Sequence, residues 1–287
     1  RPHVQVTTPQ PGVMAFIAKF KWMVGVLVDY EACRRVAYEN VLDAEKEGID
    51  YLELRFSPWF MAEPHQLDPA GVVSAVIEGI EQGRRQTSTK VNLIGIISRT
   101  YGTEIGMKEL DALLTRKDDF VALDLAGDEA NYPAAWFEEH FQRGREAGWQ
   151  ITVHAGEAAG PESVWEAIKI LGSTRIGHGA RIEEDPALVD YFLEHNIGLE
   201  ANLTSNFQTS TVESLAVHPL KGWLDAGLLA TINTDDPGIS NIDLPYEYNQ
   251  AAPRAGLSAE DTRRAQQNAW QIAFLSEDEK KALSASR

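Results

Sequence analysis

The stretch Gln150-Ile-Thr-Val-His-Ala-Gly-Glu157 joins a short β-type run to two reactive side chains. Residues 150–153 have the mostly apolar, β-branched composition of a buried parallel strand, and His154 and Glu157 follow in what the pattern predicts to be a loop. Functional side chains that follow parallel strands are typical of (β/α)8 barrels, whose active sites lie at the carboxyl ends of the strands. We therefore expect an α/β barrel with a site at this strand end.

Two further strand ends repeat this arrangement. Leu229-Ala-Thr-Ile-Asn-Thr234 runs into the pair Asp235 and Asp236, and Arg175-Ile-Gly-His-Gly179 places His178 between glycines. Histidine and carboxylate side chains in this combination suit a metal site that has its own acid and base. Metal-assisted hydrolysis is therefore the first functional hypothesis.

Seven segments have the short, apolar pattern of parallel strands buried on both faces, and helix-period segments lie between most of them. They are residues 51–56, 91–97, 120–125, 150–153, 174–176, 197–201 and 229–232. A closed barrel of this type has eight strands, and only a helical pattern, over residues 13–47, precedes the first of the seven. We therefore predict an α/β fold, a (β/α)8 TIM-type barrel whose first strand is missing from this chain. An open doubly wound sheet is the alternative, but no glycine-rich phosphate loop follows any strand.

Length and composition favour one domain over residues 1–287, because such barrels commonly have about 250 residues. The net charge of −17 disfavours binding to nucleic acid or to anionic membranes, so the expected partner is a small neutral or cationic molecule. No apolar run approaches the roughly 20 residues of a membrane span. The single cysteine, Cys33, cannot form an internal disulfide, and the first residues lack the order of a signal peptide. These features indicate a cytoplasmic protein.

His154 and Asp235 are candidate metal ligands, one imidazole and one carboxylate, although a catalytic zinc usually has three protein ligands. The sequence contains neither a His-x-His nor a Cys-x-x-Cys motif. The other histidines outside the strand ends are expected to be structural or exposed: His3, His65, His140, His195 and His218. Two alternatives stay open at this point: His154 as a histidine satisfied in the barrel mouth, and the aspartate pair as a turn cap.

Three more side chains are candidates for proton transfer and substrate contact. Burial in a dry pocket would raise the pKa of Glu157 and make it a proton donor, whereas a first-turn carboxylate favoured by a helix dipole is the structural alternative. His178 is a candidate base or charge stabiliser beside a bound water. Asp235 and Asp236 leave a strand as neighbours and point in different directions, so one can bind metal while the other meets substrate.

The motifs together resemble those of bacterial-type adenosine deaminases in the metal-dependent amidohydrolase superfamily. The matching segments span almost the whole chain in the family's order, and their combination is highly specific. They are Tyr51-Leu-Glu-Leu-Arg-Phe-Ser-Pro58 with Met61-Ala62, Leu123-Asp-Leu-Ala-Gly-Asp-Glu129, His154-Ala-Gly-Glu157, Arg175-Ile-Gly-His-Gly179, Leu203-Thr-Ser-Asn206 and Asn233-Thr-Asp-Asp-Pro237.

The resemblance implies zinc-dependent hydrolytic deamination of adenosine and deoxyadenosine to inosine and ammonia, in purine salvage. In that scheme His154 and Asp235 ligate one Zn²⁺, and Asp235 therefore belongs to the catalytic set. Glu157 handles the proton at purine N1, and His178 orients and helps deprotonate the water on the zinc.

The resemblance also implies contacts to the purine. Asp236 would accept a hydrogen bond at N7, and the backbone N–H of Gly127 would meet N3. An early helix resembles the family's apolar gate over the pocket, although its spacing also fits simple core packing. The gate residues are Val13, Phe16, Ile17 and Phe20.

One departure concerns the metal. The family carries a His-x-His zinc motif on its first barrel strand, and this chain begins after that point, so we expect an N-terminally incomplete domain that by itself binds zinc poorly and turns over little adenosine. Two alternatives stay open: a related deaminase of adenine, AMP or N6-substituted adenosine, and a metal-free purine-binding pseudoenzyme. The sequence makes no prediction of oligomeric state.

Overall fold

The computed structural model describes residues 3–285. Within this range seven β-strands form one curved, all-parallel set in sequential order. They are β1 (Tyr51–Phe56), β2 (Lys90–Ser98), β3 (Phe120–Ala126), β4 (Gln150–Ala155), β5 (Arg175–His178), β6 (Gly198–Ala201) and β7 (Leu229–Ile232). Every predicted strand overlaps an observed one. The observed β4 extends through His154, which therefore lies in the strand and not in the following loop.

Helices follow the strands and supply the crossovers that parallel pairing requires. They are α1 (Val13–Ile17), α2 (Phe20–Val24), α3 (Tyr30–Lys46), α4 (Pro58–Ala62), α5 (Pro69–Arg84), α6 (Gly102–Leu114), α7 (Glu138–Glu146), α8 (Pro161–Lys169), α9 (Pro186–His195), α10 (Leu203–Gln208), α11 (Leu220–Ala226), α12 (Pro237–Ser240), α13 (Leu244–Tyr246), α14 (Ala252–Arg254), α15 (Ala259–Ile272) and α16 (Glu277–Ala285). A π-helical turn, Glu247–Ala251, joins α13 to α14.

The helical pattern predicted over residues 13–47 is divided among α1, α2 and α3. The last of these begins where the Asp29 side chain accepts a hydrogen bond from the backbone N–H of Ala32 at 2.8 Å, an N-cap that satisfies one free donor of the first turn. The apolar periodicity of the sequence continues through the two breaks between these helices, so the pattern did not predict where one helix ends and the next begins.

Side-chain contacts across the interior show that the sheet is curled. Arg55 on β1 reaches Glu200 on β6, with 2.7 Å between Nη2 and Oε2. Glu53, also on β1, forms an ion pair with Arg175 on β5. Strands distant in an open sheet could not meet in this way, so the predicted barrel architecture is confirmed over the open doubly wound alternative. Within residues 3–285, β1 and β7 are the edge strands of the set.

The apolar core lies between the strands and the surrounding helices. Leu123, Val153 and Ile176 are fully buried on neighbouring strands, and Val164 of α8 and Leu113 of α6 are equally buried in the helical layer. Complete burial of such side chains stabilises the fold by roughly 1.5–3 kcal/mol each. Over residues 3–285, no helix combines the length and apolarity needed to cross a membrane.

Two glutamates with fully buried side chains support the site from outside it. Glu109 of α6 accepts hydrogen bonds from the backbone N–H groups of Ser98 at 2.7 Å and Trp59 at 3.2 Å, and so joins the ends of β1 and β2. Glu247 occupies the π-helical turn beside α10. Burial raises the pKa of each carboxyl to about 7. Both carboxyls therefore bind a proton more tightly in the folded chain than in the unfolded chain.

We expect the free energy of unfolding to decline as the pH rises from about 4.5 to about 7, because the unfolded state gives up these protons first. Each carboxyl accounts for a decline of up to about 3 kcal/mol. Glu109→Gln and Glu247→Gln should each flatten part of that slope in urea unfolding measured between about pH 5 and pH 8. The control is Glu162→Gln, an exposed glutamate whose replacement should leave the slope unchanged. A wild-type slope in both buried variants would contradict this account.

Candidate active site

The carboxyl ends of β4, β5 and β7 bring three potential metal ligands together. One donor atom from each of His154, His178 and Asp235 lies within 4.8 Å of the others. The two imidazole rings are tilted against each other, with 5.3 Å between their centroids. Residues predicted from three separate strand ends therefore share one site.

Two of these side chains leave backbone positions that L-residues rarely adopt. His178 has φ 66° and Asp235 has φ 58°, both in the left-handed region. Such a conformation costs roughly 1–2 kcal/mol for a residue with a Cβ, and strain of this kind clusters at functional sites. His178 is the last residue of β5, and Asp235 lies three residues after the end of β7.

Asp124 on β3 orients His154. Its carboxylate oxygens lie 3.0 and 3.1 Å from Nδ1 of the histidine, so Nδ1 carries a hydrogen and Nε2 is the nitrogen that a metal would bind. Burial opposes protonation of His154, but the charge of Asp124 outweighs it and raises the pKa of the imidazole to about 9, so a metal that binds at Nε2 would displace a proton there. A carboxylate behind a histidine is the usual support of a metal ligand, because it fixes the ring and makes the outer nitrogen a better donor.

Asp124 is one member of a chain of alternating charges inside the barrel. Arg55 bridges Asp124 at 2.9 Å and Glu200 at 2.7 Å, and Arg175 contacts Glu200 in turn. Burial opposes ionisation of Glu200, but the two arginines outweigh it and lower its pKa. We call this set the interior ionic chain: His154, Asp124, Arg55, Glu200, Arg175 and Glu53.

Glu157 lies within reach of His178. Its Oε2 is 3.5 Å from His178 Nε2, and its Oε1 accepts a hydrogen bond from the Thr209 hydroxyl at 3.2 Å. Burial raises the pKa of Glu157, and Asp235 adds to the effect. A carboxyl that holds its proton in a buried site is suited to proton donation.

The two consecutive aspartates have different surroundings, as the sequence predicted. Asp235 accepts a hydrogen bond from the Ser205 hydroxyl at 2.7 Å and lies 3.8 Å from His178 Nε2. Burial, followed by the charge of Asp235, raises the pKa of Asp236 well above its ordinary value. The raised pKa makes Asp236 the member of the pair better suited to hold a proton.

One buried carboxylate holds the loop that carries Glu157. Glu129 accepts four backbone N–H groups: Gly156 at 2.6 Å, Glu157 at 3.1 Å, Ala158 at 2.6 Å and Ala159 at 3.0 Å. Successive N–H groups that converge in this way form an anion-binding nest. The sequence analysis quoted Glu129 within a family segment but gave it no role. We call this arrangement the Glu129 clamp.

Glu129→Gln should lower kcat for deamination by about 100-fold, because the clamp sets the position of Glu157 and small misplacements of a reacting group have effects of this size. The amide offers one acceptor oxygen and turns an NH2 group toward a backbone donor. Bound metal should not change. Glu162→Gln is the matched control, since the exposed Glu162 accepts only the N–H of Gly160 at 3.1 Å. An unchanged kcat in Glu129→Gln would show that the clamp does not position Glu157.

Gly127 follows β3 in a conformation that requires glycine. Its φ is 114°, and a Cβ there would lie 2.5 Å from the Thr100 hydroxyl. That hydroxyl accepts the N–H of Asp128 at 2.9 Å and holds the loop in place. The backbone of Gly127 is thus held in one fixed orientation, as a backbone donor to a ligand must be.

The four predicted gate residues lie in or next to α1 and α2, beside the site. Phe16 is buried against Val6 and Ile239, and Ile239 belongs to α12, directly after the aspartate pair. Phe20 makes edge contacts with Phe16 and Phe60, at centroid distances of 5.9 and 6.1 Å. Val13 and Ile17 are half-buried. These contacts bring the helices to the site, and the gate function stays a prediction.

His218 is buried, in line with the structural role expected of it, but it also connects to the site. Its imidazole contacts Asn206, which contacts His178. His140 and His195 lie in helices as predicted. Sequence reasoning missed the role of Asn206, although it lies in the quoted Leu203-Thr-Ser-Asn206 segment, because nothing in the local pattern links it to a strand end twenty-eight residues earlier.

A curled, all-parallel sheet whose strand ends gather imidazoles and carboxylates defines the class of metal-dependent barrel hydrolases. Comparison with known proteins narrows this class. The family model described as adenosine deaminase matches residues 1–286. The chain is 57% identical over 284 residues to an adenosine deaminase of Vibrio cholerae, an alignment that covers 99% of this chain and 85% of that protein. It is 58% identical over 283 residues to an adenosine deaminase of Klebsiella pneumoniae, with 99% and 85% covered. The chain belongs to the adenosine deaminase family.

Solved structures agree on the fold. An adenine deaminase from Arthrobacter aurescens superposes with a TM-score of 0.91 at 23% identity, covering 99% of this chain and 85% of that one. An N6-methyl-AMP deaminase from Arabidopsis thaliana superposes with a TM-score of 0.84 at 24% identity, covering 96% and 83%. At these identities the likeness shows the fold alone.

Proposed function

We propose that this chain catalyses the hydrolytic deamination of adenosine and deoxyadenosine to inosine or deoxyinosine and ammonia. The observation that carries the proposal is the buried Glu157, whose Oε2 lies 3.5 Å from Nε2 of His178 and beside a histidine and a carboxylate suited to a metal. Relatives named adenosine deaminase at 57–58% identity point to the same reaction. Loss of the adenosine ultraviolet absorbance on conversion to inosine, followed with the purified chain and added zinc, tests it directly.

We infer that the metal is a single Zn²⁺ held by His154 and Asp235. The donor chemistry fits, because neutral imidazole nitrogen and carboxylate oxygen are ordinary zinc donors and Asp124 leaves Nε2 of His154 free. When bound, zinc supplies Lewis acidity that makes water nucleophilic near neutral pH. The remaining chemistry belongs to the side chains around it.

Glu157 donates its proton to purine N1. Protonation there draws electron density from C6, where water adds. One proton of that water passes to the amine, which leaves as ammonia, and the other restores the Glu157 carboxyl, while N1 keeps the proton that Glu157 gave. Because burial raises the pKa of Glu157, the carboxyl enters the reaction with its proton in place. His178, whose Nε2 lies 3.5 Å from Oε2 of Glu157, would stabilise the charge that develops on the attacking water.

Asp236 and Gly127 orient the base. Purine N7 has a lone pair and no hydrogen, so a group that binds it must donate. The raised pKa of Asp236 supplies a proton for this contact, which reverses the direction of the hydrogen bond that the family resemblance suggested. The backbone N–H of Gly127, held by its fixed conformation, donates to N3.

Substrate choice separates the proposal from the related deaminases. A chain with a net charge of −17 favours a neutral nucleoside over a phosphorylated one. We expect kcat/KM to be highest for adenosine and deoxyadenosine when adenosine, adenine, AMP and N6-methyladenosine are compared. A metal-free pseudoenzyme would instead bind purines equally with and without zinc, and it would have no use for a protonated Glu157.

A further inference from the structure

We propose that Asn206 and His218 are positioning residues that hold His178 as its Nε2–H tautomer, so that His178 donates a hydrogen bond and does not bind the metal. The inference rests on the proposed deamination for its kinetic consequences. Its structural part stands on hydrogen-bond geometry alone.

The backbone N–H of Leu220 fixes the position of the hydrogen on His218. Leu220 is the first residue of α11, so its backbone N–H has no partner within the helix. It donates to Nδ1 of His218 over 3.1 Å. A backbone amide can only donate, hence Nδ1 of His218 must accept and its hydrogen must be on Nε2.

The orientation of the Asn206 amide follows from this. Nε2 of His218 lies 3.1 Å from Oδ1 of Asn206, and an N–H facing an amide requires the amide oxygen there. The NH2 group of Asn206 then faces Nδ1 of His178 at 2.9 Å. The amide NH2 of Asn202 approaches the same nitrogen at 3.3 Å. Nδ1 of His178 therefore accepts, and its hydrogen lies on Nε2.

We call the hydrogen-bonded series His218, Asn206 and His178 the relay, and it is buried away from solvent. His178 is 1% exposed, His218 is 4% exposed and the Asn206 side chain is fully buried, so water cannot substitute for a missing partner. Burial also lowers the pKa of His218 to about 3, which keeps the ring neutral with a single hydrogen. If the Asn206 amide were flipped, its NH2 group would face the Nε2–H of His218, and both buried donors would be left without an acceptor.

The two histidines of the site are thereby given opposite tautomers. Asp124 takes the hydrogen of His154 on Nδ1 and leaves a lone pair on Nε2, whereas the relay leaves an N–H on Nε2 of His178. That N–H faces Glu157 Oε2 at 3.5 Å and Asp235 Oδ2 at 3.8 Å. By distance alone, His154, His178 and Asp235 would all be metal ligands. The hydrogen on Nε2 of His178 leaves that nitrogen without a lone pair, so the ligands are His154 and Asp235. His178 instead donates a hydrogen bond to the attacking water.

Nitrogen-15 NMR of the full chain labelled at histidine reads the tautomer directly. We expect His178 to show an unprotonated Nδ1 and a protonated Nε2, and to keep the Nε2 hydrogen after zinc is added. His178→Asn identifies the signals, because asparagine tolerates the left-handed backbone at this position. A protonated Nδ1 in the wild type, or loss of the Nε2 hydrogen on zinc addition, would overturn the proposal.

Paired variants of His218 separate positioning from structural support. His218→Phe removes the donor to Asn206, so we expect partial protonation of Nδ1 in His178 and a kcat about 10- to 100-fold lower, with KM for adenosine changed less than about threefold. His218→Gln keeps an N–H donor for Asn206 and should restore both readouts. His195→Gln, at an exposed histidine stacked on Tyr191, is the control. Equal losses in the Phe and Gln variants would indicate a packing role and contradict the proposal.

A second variant covers the case in which His218→Phe does not fold. Asn206→Asp has the same shape but can only accept, so it should move a proton onto Nδ1 of His178. An unchanged tautomer there would also overturn the proposal. Absence of adenosine turnover in the wild type with zinc would refute the proposed function, and the nitrogen-15 spectra would still decide the tautomer.

Discussion

Glu157→Gln should retain metal and purine binding while losing turnover by about a thousandfold. The amide has the size and polarity of the carboxyl and can still accept from the Thr209 hydroxyl, but it has no proton of comparable acidity to give to N1. Loss of a general acid typically lowers rates by 10²–10⁴-fold. The measurements are kcat for adenosine, the dissociation constant of inosine and the zinc content of the purified variant.

The same substitution at Glu162, at the start of α8, provides the comparison. That side chain is exposed and lies outside the site, so Glu162→Gln should match the wild type in all three measurements. Turnover by Glu157→Gln within about tenfold of the wild type would remove Glu157 from the role of proton donor. Loss of inosine binding together with turnover would instead assign it to substrate affinity.

Asp235→Asn should release the metal and lower turnover by about 10⁴-fold or more, because the carboxylate is the proposed charged ligand of the metal and Lewis-acid stabilisation is worth several kcal/mol. Asparagine is the informative replacement. The φ of 58° at this position is left-handed, which asparagine tolerates and alanine does not, so backbone strain is not added to the loss of the ligand. Zinc content by atomic absorption and turnover at rising zinc concentration are the measurements.

Asp225→Asn on α11 is the matched control, since its carboxylate pairs only with Lys221 on the surface. It should bind zinc as the wild type does. Full zinc content in Asp235→Asn would contradict the ligand assignment. Recovery of turnover at high zinc would support it, because a weakened site fills when the ion is abundant.

The strand pattern could be predicted because its causes are local. Parallel strands buried on both faces are short, apolar and rich in β-branched residues, and the functional side chains lie at or soon after their carboxyl ends, as His178 is the last residue of β5. Barrel architecture then places those strand ends on one face. His154, Glu157, His178, Asp235 and Asp236 were therefore predicted as a group, and the structure brings them together.

The supports of the site could not be predicted because they act across long stretches of sequence. Asp124 lies thirty residues before the histidine that it orients, and Glu129 lies at a similar distance from the loop that it clamps. His218 lacked any local signal, since a histidine before a proline in a loop has no pattern that indicates burial. The protonation of Asp236 also depends on burial, which composition does not reveal. The residues proposed to do the chemistry were thus easier to predict than those that hold them in place.

The interior ionic chain constrains how this protein can diverge. Substitution of Arg55 or Glu200 alone would leave the opposite charge unpaired inside the barrel. This would cost roughly 3–5 kcal/mol, a large part of the free energy of unfolding of an ordinary domain. A single substitution at Arg55 or Glu200 should therefore be selected against. A substitution there can be neutral only when a second substitution compensates for the lost charge. Since the chain ends on the histidine that faces the metal, selection for folding and selection for catalysis act on the same residues. The residues of the barrel interior should accordingly be conserved together, while the outer helices accumulate substitutions.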